Sequence, residues 1–170
     1  SAILCSNEEE LRKQFILINN TRPLPKTLIY ELLPSVSGLP HRLASRSKAA
    51  SLVERLNYDE ESSLRGQINQ HTNPKGVIKD TIIQKLIMNS LNAGVLRDLS
   101  RSPEPELEQF KLLSEFFGAV QTVFSSDWAD KTPRTSRLVH GAGIMAMGYL
   151  LDTICSLNSS YSKDLFITQL

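Results

Sequence analysis

Three groups of residues in this sequence have the types and spacing to hold a phosphate. The densest is Asn19, Asn20, Thr21, Arg22 and Lys26. Amides and a hydroxyl can orient an oxyanion, an ammonium neutralises it, and a planar guanidinium grips two of its oxygens at once. Read structurally, the asparagines close a helix and Pro23 and Pro25 shape a turn, which leaves Arg22 and Lys26 unexplained. The second group is Arg134, Arg137 and His140, beside Thr135 and Ser136, where backbone N–H groups at a helix start would add to the attraction for an anion. His140, alone beside Gly141, equally fits a hydrogen-bonded core residue. In the third, Lys75 and Lys79 with Asn73 and Gly76 would clamp one backbone phosphate.

Other chemistries lack their parts. His41, His71 and His140 have no metal-binding spacing, and Cys5 and Cys155 form neither a zinc pattern nor a disulfide scaffold. There is no nucleophile elbow, Walker loop or dinucleotide fingerprint. Glu31 and Asp152 are carboxylates without a partner in the sequence, and a lone carboxylate is no mechanism. No catalytic residue and no metal ligand is therefore assigned, and the chain is not expected to be an enzyme by itself.

Helices must position these groups. Ser6 followed by Glu9 is a capping-box pattern, and Glu8 to Glu10 place negative charge at the positive end of a helix dipole. A helix thus starts near Asn7, carries Leu11, Phe15 and Ile18 on one face, widened by Ile16 and Leu17, and delivers the asparagine pair at its end near Asn19. Pro23 and Pro25 forbid helix through the turn, and Thr27 to Leu33 reads as a short helix stopped by Pro34. Pro40 suits the first position of a helix bearing Leu43, Ala50, Val53 and Leu56 on one face. Residues 64–70 read as extended. Asp80 caps a helix from Thr81, with Ile82, Ile83, Leu86, Ile87 and Leu91 inward and Gly94 as its stop. Ser102 and Pro103 open the next, whose Leu107, Phe110, Leu113, Phe117, Val120 and Phe124 keep helical period for about five turns. Trp128 anchors the loop 125–134, and Thr135 caps a last long helix over 136–157, where Gly141, Ala142, Gly143, Ala146 and Gly148 predict close packing against neighbours. The fold class is mainly α: an orthogonally packed bundle of five or six helices with at most short strands.

With 41% hydrophobic and 22% charged residues, the chain can bury a sizeable core. The net charge of +1 gives no global attraction for nucleic acid, but it is unevenly spread: +4 over residues 35–101, −5 over 102–130 and +2 over 131–170. Any contact with DNA must come from a local basic patch. The last long helix is apolar enough to raise the question of a membrane, yet His140 and Asp152 lie inside it, so it reads as a core helix and no membrane partner is expected. Isolated cysteines and the absence of a leader pattern fit the cytoplasm.

Three stretches carry a resemblance. QFILINNTRPLPKTLIYELLP (residues 14–34), TNPKGVIKD (Thr72 to Asp80) and SRLVHGAGIMAMGYLLD (Ser136 to Asp152) resemble, in order, blocks of the DGQHR-domain family, which is similar to ParB/sulfiredoxin-like proteins and includes DndB-type proteins encoded beside DNA-modification systems. The Asp-Gly-Gln-His-Arg signature is absent from the sequence. The resemblance therefore implies the C-terminal part of a longer protein, with residues 1–34 ending an upstream DGQHR/ParB-like module and 35–170 forming a helical domain. It implies a setting in bacterial DNA modification or defence, with DNA or DNA-modification proteins as partners and a nucleotide as the ligand of the longer protein. Asn19-x-x-Arg22 is similar to the Asn-x-x-Arg step of ParB nucleotide-binding proteins, with the following Leu and Pro offset. The expectation from another class is an interaction module, in which Ala2 to Cys5 or the C-terminal LFITQL docks a partner or a second copy into a homo-oligomer.

Overall fold

A computed structural model of the chain describes residues 7–19 and 41–170. Asn20, Thr21, Arg22, Lys26 and the expected helix at Thr27 to Leu33 lie outside the described residues. Among the described residues there are eight helices and one two-stranded parallel sheet. Five helices have twelve residues or more and make the body of a mainly α fold: α1 (Glu8–Asn19), α2 (His41–Tyr58), α3 (Asp80–Ala93), α5 (Pro105–Val123) and α7 (Gly141–Leu157). Shorter ones are α4 (Val95–Leu99), α6 (Ser125–Trp128) and α8 (Lys163–Gln169). No helix among the described residues is long and apolar enough to cross a membrane.

Asn7 starts α1, its Oδ1 accepting from Glu10 N–H at 2.8 Å. The apolar face is buried only at its edge: Leu11, Phe15 and Ile18 are 41–54% exposed, while Ile16, which widens that face, is 1% exposed. Spacing identified the apolar face but not which of its residues the core takes. In α2, Ala50, Val53 and Leu56 are buried as expected, with Ala49 and Leu52 beside them.

α3 is the hub. It packs on α2, α4, α7 and the sheet, and its Ile83, Leu86 and Ile87 are buried. Gly94 ends it, donating its N–H to Ser90 O, and the chain then turns at once into α4, which sequence periodicity did not reveal because a five-residue element shows barely one turn. The following helix begins later than expected, with Pro105 rather than Pro103 in its first turn. Arg101 and Ser102 N–H groups bond back to Asp98 O and Leu99 O, so the chain there is still winding off α4. α5 buries Phe110, Leu113, Phe116, Phe117 and Val120 and packs on α2, α4, α6 and α8. The 125–134 loop contains α6, whose Trp128 is buried as expected.

The last long helix also starts late, at Gly141. Thr135 does not cap it: Thr135 and Ser136 donate their N–H groups to Thr132 O, closing a separate turn, and Leu138 N–H bonds Ser136 Oγ. The helix can start only after that turn is left behind. His140 is its N-cap, with Nδ1 accepting from Ala142 N–H at 3.2 Å. The C-terminal LFITQL docks within its own chain as part of α8, Phe166 fully buried edge-on to Phe116 at 5.2 Å.

Candidate functional site

Of the candidate phosphate residues, Lys75, Lys79, Arg134, Arg137 and His140 lie on two segments whose backbones approach one cleft. The first segment is held by Asn57, a fully buried amide near the end of α2. Its Nδ2 donates to Ile68 O (3.0 Å) and Gln70 Oε1 (2.6 Å), and its Oδ1 accepts from Ile68 N–H (3.1 Å). Asn73 closes the clasp from the other side, its Nδ2 donating to Gly66 O and Ile68 O at 3.0 and 2.9 Å. Asn73 thus spends its amide on the fold rather than on a ligand. A buried amide with both ends bonded fixes a loop, because any rearrangement strands polar groups away from water.

The clasped loop connects β1 (Ile68–Asn69) to β2 (Ile78–Lys79), which pair in parallel with Ile68 opposite Ile78. Gly76 is required there, since a Cβ would sit 2.2 Å from Ile68 carbonyl carbon. Gly66 is required for its backbone, at φ +70°. From this frame Lys75 and Lys79 project as exposed residues. The start of α3 itself offers an incoming anion little, for it already holds one: Asp80, 1% exposed, accepts Thr81 N–H through Oδ1.

The second segment is the turn before α7. Arg134 and Arg137 are exposed and make no ion pair among the described residues. His140 is half-buried, and its Nδ1 must be the unprotonated nitrogen to accept from Ala142. That makes it a cap rather than a base. Gly143 lets this turn lie against the helix it precedes, since a Cβ would fall 2.1 Å from Arg137 O.

The two segments meet at a cleft of about 320 Å³, lined by Val77 and Ile78 from the first and Val139 from the second. Trp128, Asp130 and Lys131 form its rim from α6 and the turn after it. Trp128 Nε1–H donates to Gln67 Oε1 at 2.8 Å, tying that rim to the sheet. Lys75 and Lys79 flank one wall in sequence, Arg137 and His140 the other; Arg134 belongs to the same turn. Asn19 ends α1, and the remainder of the first group lies outside the described residues.

Asp152, carried in the sequence as a lone carboxylate, joins three helices. Its Oδ1 accepts from Ser90 Oγ (2.6 Å) and Val95 N–H (3.0 Å), and Gly94 makes room, as a Cβ there would meet the carboxylate at 2.2 Å. One turn along, burial and then the Asp152 charge push the Cys155 thiol from 9.0 up to about 12, which holds it protonated at neutral pH. The described residues contain no group of three or more His, Cys, Asp or Glu placed to hold a metal. No protein-family model, curated protein or solved structure matches the chain.

Proposed function

We propose that the chain is the helical part of a DGQHR-domain protein serving bacterial DNA modification or defence, and that it contacts DNA or nucleotide phosphate through the basic surface around the Val77–Val139 cleft. The observation that carries this reading is the convergence of two of the three resembling blocks. Thr72 to Asp80 and Ser136 to Asp152 are far apart in the chain, yet line one cleft with exposed Lys75, Lys79, Arg134 and Arg137 on its flanking segments. Gly76 and Gly143 hold those two segments in place by the absence of a side chain. The upstream half would supply the remaining contacts, together with Arg22 and Lys26.

Salt is the test. Each phosphate neutralised on a duplex contributes about −0.9 to the slope of log K against log salt. Titration of the full-length protein with duplex DNA should show a steep slope. Lys79→Gln or Arg137→Gln should weaken binding and flatten that slope by about one unit, without lowering the melting temperature. A complex indifferent to salt overturns the reading.

One observation favours a second reading, docking to another protein or a second copy. The outer side of α7 carries Ala142, Ala146, Tyr149, Thr153 and Ser156 exposed, with no charge among them, and Leu157 beyond is 77% exposed. An outward helix face in water is ordinarily charged. Such docking would persist at high salt, which separates it from phosphate contact.

A further inference from the structure

A polar trough follows α3 on a different part of the molecule. One cavity of about 320 Å³ is lined by Arg46 of α2 and by Gln84, Lys85 and Met88 of α3. A second, of about 600 Å³, is lined by Tyr149, Asp152 and Thr153 of α7. Asn89 and Asn92 line both, so the two adjoin along α3. Each lies within the size range of small-ligand sites.

The groups are sorted along its length. Arg46 and Lys85 put positive charge at one end. Tyr149, 60% exposed, stands at the other, its Oη accepting from Asn89 Nδ2 at 3.4 Å. Asn89, Asn92 and Gln84 contribute three carboxamides. Gln84 is 3% exposed and its Oε1 has no hydrogen-bond partner, while its Nε2 reaches Asp80 Oδ2 only at 3.5 Å. A buried acceptor without a donor is rare enough to need a reason, and a donor brought by a ligand is one. Asp152 places a carboxylate at the tyrosine end, which drives an anionic group toward Arg46 and Lys85 and so sets direction.

We propose that this trough binds an adenine nucleotide. Its phosphate lies between Arg46 and Lys85, and its base stacks on Tyr149 where Asn89 and Asn92 meet its edge. A carboxamide matches the adjacent donor and acceptor of adenine N6 and N7, and a tyrosine ring stacks on a base face. Lys85 and Asn92 are two turns apart, about 10 Å along the helix, the span from a phosphate to the far edge of its base. The trough shares no residue with the cleft surface and stands without that reading.

Calorimetric titration of the full chain with AMP, UMP, adenosine and inorganic phosphate tests it. AMP should bind, with UMP, adenosine and phosphate each at least about tenfold weaker. Asn92→Ala and Lys85→Gln, both exposed positions, should each weaken AMP about tenfold at an unchanged melting temperature. A short oligo(dA) that binds with the same sensitivity to both substitutions identifies a single strand as the source of the nucleotide, and its failure where AMP succeeds identifies the free compound. The proposal is overturned if neither AMP nor oligo(dA) binds by about 10 mM, if UMP binds as well as AMP, or if both substitutions leave AMP binding unchanged.

Discussion

Asp152 and Cys155 occupy neighbouring turns of α7, the first half-buried and hydrogen-bonded, the second buried. Removing the carboxylate in Asp152→Ala leaves Ser90 Oγ and Val95 N–H without their acceptor, at a cost of about 1–3 kcal/mol for each group stranded. Urea unfolding should show that loss, and Asp152→Asn, which keeps an acceptor oxygen, should recover part of it. Cys155 gives a pH dependence whose sign follows from its shift. The folded thiol titrates near 12 against 9.0 when unfolded, so its contribution is complete below pH 9 and is lost as pH rises toward 12. The urea midpoint should therefore fall over that window, and Cys155→Ala should reduce the slope. A midpoint with equal slope in both proteins would show that the thiol is not sequestered. Neither role was legible in the sequence, because the partners that define Asp152 are 57 and 62 residues away and no local pattern links them. The same holds for Asn57, whose burial is explained only by residues of the loop that it clasps.

Helices announced themselves wherever several turns repeated an apolar face, as α2, α3 and α5 do. Their starts were less legible, since a capping residue competes with whatever turn precedes it. Ser102 and Thr135 both have capping chemistry, yet each stands in a turn whose N–H groups are already bonded backward. His140, an infrequent cap, takes the role instead at α7. His140→Ala should therefore cost about 1 kcal/mol in urea unfolding, the usual loss for a cap, whereas a histidine acting as a base would leave stability untouched. The glycines predicted close packing, and the structure divides that packing between two jobs. Gly148 admits Leu86 of α3, with a Cβ placed 2.5 Å from its Cγ, while Gly143 admits the carbonyls of the incoming turn. Gly143→Leu should destabilise by about 1–3 kcal/mol or more, since backbone rather than a flexible side chain must move. An unchanged melting curve would place that glycine in open space.

Taken as one body, the molecule has a core that runs through every helix from α2 to α8, and Ile16 of α1 is buried apart from it. α5 turns Phe116 and Phe117 inward, and the seven residues of α8 close over them. So short a helix has little stability of its own in water, and its place is set by Phe166. That the segment docks within its own chain rests on a contact between residues 50 positions apart, which periodicity cannot express. Phe166→Ala removes a fully buried ring from a tight edge-to-face cluster, for which the usual cost is about 3–5 kcal/mol. Leu11→Ser in α1, at a side chain already 54% exposed, should cost well under half as much. Thermal melts of the two variants compare the core closed by α8 with the exposed stripe on α1. If Leu11→Ser proves the more damaging, the principal packing of the chain lies on the α1 side and α8 is an accessory; if Phe166→Ala does, the C-terminal helix is what completes the fold that holds both the cleft and the trough in shape.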